Sequence, residues 1–231
     1  MGDFAVIAEG VTDQIVIKNV LLGLFEDKDR DDEPMIVFEQ PRLDETARKG
    51  GHPPAGWTLV LKYFEQGLYK QALQTNAYLV VHIDTDVSDE YGVAKPAAGK
   101  EAVMLSAVID VIRSRVDADI WTVHGDRFIF AVAIHSIECW LLPPLFDGQK
   151  AKQGKVTGCF DAADKVLQER RLGSLRRTDG PEGKNPDGYA DASKVYRKRR
   201  ELMRLKDLNV SLAAFVAEVK RRAITIPTEL P

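Results

Sequence analysis

The segment Tyr78-Leu79-Val80-Val81-His82-Ile83 is an apolar run that stops abruptly at Asp84-Thr85-Asp86. A short run of this kind is the pattern of a strand buried on both faces, as in parallel sheets, and in open α/β sheets ligands collect beyond the carboxyl ends of such strands. Two acids at that lip point to a hard cation. Residues two apart on an extended segment project the same way, so Asp84 and Asp86 can offer oxygens to one Mg2+ if the strand geometry persists through them. Acids after a strand also serve as turn formers or helix caps, so the assignment needs a further acidic position from elsewhere.

That position lies near the amino terminus. Phe4-Ala5-Val6-Ile7-Ala8 reads as a first strand ending in Glu9-Gly10-Val11-Thr12-Asp13, with Thr12 as the expected N-cap of an amphipathic helix carrying Ile15, Val16, Val20, Leu21, Leu24 and Phe25. A short second strand is expected at 34–38, a loop at 40–56 that is either a flap over the site or a solvated connection, and a helix over 57–75. The central strand 78–83 and a helix near 99–115 follow, giving β-α-β-α-β-α, the order of a parallel sheet with right-handed crossovers. Ile120–His124 and Phe128–Ile134 read as two further strands. Ser136 is placed to cap a short helix that Pro143 and Pro144 end, with Glu138 in its first turn, where the helix dipole favours an acid without any chemistry.

The fold expected is therefore α/β, a Rossmann-like, mostly parallel sheet flanked by helices with a basic helical C-terminal region. The proposed division is a core at 1–147 and an extension packed on it at 148–231. Charge divides similarly: residues 1–149 carry 13 Lys and Arg against 24 Asp and Glu, and residues 150–222 carry 19 against 10. The acidic half holds the candidate metal carboxylates, while the basic half either holds a polyanion or simply faces its partner half and water. Helices are expected near 160–171, from 191 to about 205, and over 212–222; the polar stretch 174–189 between the first two reads as flexible. The helix from 191 presents Lys194, Arg197, Lys198, Arg199, Arg200 and Arg204.

No apolar run approaches the roughly 18 residues of a membrane span, and Met1-Gly2-Asp3-Phe4 lacks the basic start of a signal peptide, so a cytoplasmic location is expected. Cys139 and Cys159 form neither a disulfide framework nor a zinc spacing and are expected to be reduced. No glycine-rich loop ends in Gly-Lys-Ser/Thr, so any ATPase partner has to be another chain. His82 reads as a core or sheet-face histidine, and His135 as either a packed residue or a ligand.

Taken together, Glu9-Gly10 after the first strand and Asp84-Thr85-Asp86 after the third resemble the motifs of the TOPRIM family of metal-dependent nucleic-acid enzymes. Ser136-Ile137-Glu138-Cys139-Trp140-Leu141-Leu142 is similar to a segment in its small stand-alone OLD-like and RloB-like nuclease relatives of bacterial phage defence. The resemblance covers about residues 3–145. It implies Mg2+-dependent hydrolysis of DNA or RNA, with Mn2+ as an alternative ion. Asp84 and Asp86 would be metal ligands, and Glu9 a ligand or proton carrier. Glu138 would hold a second metal unless it is only a helix-turn acid. Lys194 would lie near the scissile phosphate unless it belongs to a solvated face. Lys194, Arg197, Lys198, Arg200 and Arg204 would hold the nucleic-acid backbone. A separate ATPase or defence-system partner and an oligomer are compatible with this reading. A non-catalytic nucleic-acid or partner-binding module on the same fold is the alternative, as is an effector silent until a partner releases it.

Overall fold

The computed structural model describes residues 2–27, 33–42, 56–95, 99–177 and 183–224. Four strands, β1 (Gly2–Ile7), β2 (Ile36–Gln40), β3 (Asn76–Asp84) and β4 (Phe128–Ala133), form an all-parallel sheet in the order β2-β1-β3-β4. Parallel neighbours require crossovers. These contain α1 (Val11–Leu24) between β1 and β2, α2 (Trp57–Glu65) and α3 (Tyr69–Thr75) before β3, and α4 (Glu101–Arg113) and α5 (Ala118–His124) before β4. The result is an α/β sheet flanked by helices, consistent with a Rossmann-like fold.

Strand alternation divides the interior into two apolar clusters. Phe4, Val6, Ala8, Val80, Ile129 and Ala131 pack on one face with Val16, Ile17 and Val20 of α1. Ala5, Ile7, Leu79, Val81, Ile83 and Phe130 pack on the other with Val60, Phe64, Met104 and Val108. Register places the carboxyl ends side by side, with Ile7 opposite Val81 and Asp84 opposite Ala133.

Several local expectations are corrected. Ile120–His124 lies within helix α5, not a strand; none of α5 is buried, and Trp121 packs at a tilt against Phe128 and Phe130. Five residues of mixed polarity do not by themselves distinguish strand from helix, and Phe128–Ala133, fully buried, takes the sheet edge instead. The expected helix 57–75 is interrupted at Gly67, whose φ of +69° makes a left-handed turn between α2 and α3. Thr12 lies inside α1, whose N-cap is Gly10; the Asp13 carboxylate accepts the Gly10 N–H at 2.7 Å. Most of the expected loop at 40–56 lies outside the described residues.

After β4, the segment Ile137–Leu141 leads into α6 (Leu142–Leu145), α7 (Lys150–Gln153), α8 (Cys159–Glu169), α9 (Pro186–Ser193), α10 (Arg199–Leu205) and α11 (Val210–Arg221). Tyr189, Tyr196 and Phe215 join the α1-side cluster beside Trp140, so the basic region shares a core with the sheet. Contact is close: a Cβ on Gly23 of α1 would lie 1.8 Å from the Tyr196 carbonyl oxygen. The expected continuous basic helix is broken between α9 and α10, where a turn at Lys194–Arg197 sends Tyr196 inward to donate its hydroxyl to the Trp140 carbonyl. Of the stretch expected to be flexible, the described flanks are tied together: Arg176 bridges to Lys184, and Asn185 N–H donates to the Leu175 carbonyl at 2.8 Å.

Cys139 and Cys159 are joined in a disulfide, with Cα atoms 4.9 Å apart, correcting the expectation of free thiols. Their spacing carries no signature. Only the packing of α8 against the Ile137–Leu141 segment brings them together. Among the described residues, no helix is long and apolar enough to cross a membrane.

Candidate metal centre

β3 remains extended through Asp84, where it still pairs with β4, so the two-residue alternation places His82 and Asp84 on one face of the sheet. That is the α1 face, and Asp13 in the first turn of α1 meets them there. One ligand atom from each of Asp13, His82 and Asp84 lies within 4.8 Å of the other two, and all three residues are buried. His82 Nε2 is 3.2 Å from Asp84 Oδ1 and 3.9 Å from Asp13 Oδ2. The opposite ring nitrogen, Nδ1, lies 2.6 Å from the Ala131 carbonyl and donates to it, since a carbonyl can only accept.

Nε2 and Asp84 Oδ1 are close but not aligned for a hydrogen bond, and both are buried without one. Two carboxylates and an imidazole, with His82 Nε2 and Asp84 Oδ1 unsatisfied, fit a divalent cation by donor chemistry and by proximity.

Glu9 closes the group from the end of β1. Its Oε1 accepts the Asp84 backbone N–H at 2.7 Å, linking the carboxyl ends of two adjacent strands. Burial pushes the Glu9 carboxyl up to about 8, reinforced by the Asp84 charge and opposed by the Asp84 N–H and His82. Burial likewise lifts Asp84 to about 7 against the pull of His82, and raises Asp13. For His82, burial favours the neutral ring, but Asp84, Asp13 and Glu9 outweigh it and raise the imidazole to about 9. The carboxyls hold protons first because burial strips them of water, and then because their negative charge has too little counter-charge.

Asp86 is placed differently from Asp84. Beyond Asp84 the chain leaves the strand, the backbone N–H groups of Thr85 and Asp86 both donate to the His135 carbonyl at 2.9 Å, and the Asp86 residue is exposed, outside the converging group. His135 itself serves the turn: it takes φ +66°, and its N–H donates to Thr85 Oγ1 at 2.7 Å.

Glu138 sits buried beside the centre. Its Oε1 receives Lys184 Nζ at 2.7 Å and the Tyr189 hydroxyl. Burial alone would raise this carboxyl, but Lys184 outweighs it and holds Glu138 below its ordinary range. Lys184 also acts electrostatically on Asp13 and Asp84, so it is the cation that the fold brings to the acids. Lys194, Lys198 and Arg200 are exposed on the surface; Arg197 pairs with Glu33, and Arg204 with Asp147 and Glu201.

Sequence reasoning assigned no role to Asp13, Lys184 or Tyr189, and read His82 only as a packed histidine. Two of these carried signals. His82 and Asp84 are two apart within the strand, and Asp13 opens the helix that follows β1 directly. Lys184 lies in a polar stretch with no local pattern. The chain matches no protein-family model, no curated protein and no solved structure.

Proposed function

We propose that the chain is a TOPRIM-like, divalent-metal-dependent phosphodiesterase acting on nucleic acid. The observation that carries this reading is the convergence of Asp13, His82 and Asp84 at the carboxyl edge of the sheet, with Glu9 and Lys184 beside them. Asp13 and Asp84 would hold the ion, which supplies Lewis-acid stabilisation of charge developing on a phosphoryl oxygen.

The chain's own groups do the rest. Glu9 keeps one oxygen on the Asp84 N–H, and its raised pKa suits the other to hold or release a proton near neutral pH. Lys184, still 44% accessible at its side chain, offers its ammonium to a phosphate that approaches the centre. The exposed Lys194, Lys198 and Arg200 add positive charge on the surface of the C-terminal half, where contacts to the backbone position a nucleic acid without reading its bases.

The test is incubation of the purified full chain with single- and double-stranded DNA and RNA, with Mg2+ or Mn2+ and then with EDTA, alongside Asp84→Asn. Metal-dependent cleavage lost in the variant is expected. Cleavage that survives both EDTA and Asp84→Asn would remove the assignment.

A further inference from the structure

His82 is the least expected member of the centre, and it restricts which ion the site can take. Its ring is fully buried and cannot turn freely, because Nδ1–H is committed to the Ala131 carbonyl of the neighbouring strand β4 at 2.6 Å. A backbone carbonyl on one ring nitrogen is the usual way a metal-binding imidazole is fixed with its other nitrogen's lone pair facing the ion. Here that other nitrogen, Nε2, has no hydrogen-bond partner and is directed at the two carboxylates.

Donors around a single ion at metal–ligand distances of about 2.0–2.2 Å lie about 3–3.5 Å from one another. The 3.2 Å between Nε2 and Asp84 Oδ1 already matches, and the 3.9 Å to Asp13 Oδ2 needs only a small contraction. Trp140 stands edge-on to the imidazole at 6.3 Å between centroids, adding an apolar wall.

We propose that the resident ion is a first-row transition ion of the Mn2+, Fe2+ or Zn2+ class, bound through His82 Nε2 together with Asp13 and Asp84. This rests on the reading of the cluster as a metal centre. Mg2+ strongly prefers an all-oxygen, largely hydrated octahedron, whereas imidazole nitrogen suits the transition ions. A mixed set of one nitrogen and two carboxylates therefore selects against Mg2+. Among the described residues no other group of three His, Cys, Asp or Glu converges in this way.

The test uses the EDTA-stripped, desalted full chain and Mn2+ as probe. Electron paramagnetic resonance is expected to count one bound Mn2+ per chain, displaced by Mg2+ only at an excess of about tenfold or more. Pulsed measurements on the bound ion are expected to show nitrogen hyperfine coupling from a directly bound imidazole. His82→Gln is expected to lose that coupling and about tenfold or more in Mn2+ affinity while Mg2+ affinity changes little.

Bound Mn2+ without nitrogen coupling, no Mn2+ binding by the folded chain, or equal affinity for Mn2+ and Mg2+ would overturn the proposal. If His82→Gln fails to fold, the coupling in the unaltered chain decides alone. Mg2+-supported cleavage without nitrogen coupling would sink this inference and leave the phosphodiesterase reading standing. Nitrogen coupling without cleavage of any nucleic acid would do the reverse.

Discussion

Lys184 Nζ lies 2.7 Å from Glu138 Oε1, a pair in which the glutamate side chain is 2% accessible and the lysine side chain 44%. It ties the segment after β4 to the stretch that opens α9. Lys184→Met should cost about 1–3 kcal/mol, less than a fully buried pair because the lysine is partly screened by water. In urea unfolding, Lys184→Met combined with Glu138→Gln should recover about 1 kcal/mol of that loss. Strictly additive effects of the two changes would show that the pair contributes nothing.

Stability of the metal-free chain should fall as pH rises. Asp84 moves from 3.8 to about 7, Glu9 from 4.5 to about 8, and His82 from 6.5 to about 9 on folding. Each folded value exceeds the unfolded one, so the folded chain holds more protons between the two values. Each contribution is complete below the unfolded pKa and is lost as pH passes the folded one. Urea midpoints should therefore drop between about pH 5 and pH 9 in the presence of EDTA, and Asp84→Asn should flatten the slope. A midpoint that climbs across this range would contradict the protonated state of the cluster.

Asp84 and Asp86 should respond unequally to substitution. Asp13→Asn and Asp84→Asn remove converging donors and should lower metal-dependent cleavage by about 100-fold or more. Asp86→Asn alters an exposed side chain outside that group and should have a smaller effect. Equal losses for Asp84→Asn and Asp86→Asn in single-turnover assays would show that the ion is held at the lip of the strand instead.

The Cys139–Cys159 bond links residues 20 apart in sequence and pins α8 beside Glu138. Restricting the unfolded chain over a loop of that length is worth about 3 kcal/mol. Reduction with dithiothreitol, or the double change Cys139→Ala and Cys159→Ala, should lower the unfolding free energy by about 2–4 kcal/mol. Mass spectrometry of the untreated protein should show two fewer hydrogens than the reduced form.

The sheet was legible in the sequence because its strands are short apolar runs bounded by acids, turns and helix starts. Phe4–Ile7, Leu79–Val81 and Phe128–Ala133 carry their burial in composition alone. Ile120–His124 misled because five residues of mixed polarity do not set a period, and its helix is decided by what else fills the sheet edge. Glu9 and Asp84 were also legible as strand-end acids, and they meet as an actual hydrogen bond.

By itself, then, the sequence determined a parallel α/β sheet, its helical crossovers and the strand ends at which acids would gather. Those features follow from local alternation and from the length of apolar runs. Only the tertiary structure decided which side chains share the centre. The strand continues to Asp84 and no further, so His82, not Asp86, points with Asp84 toward Asp13, and packing of the C-terminal half against α1 delivers Lys184 to Glu138. Such choices depend on where pairing stops and on contacts between residues distant in sequence, which no local pattern encodes.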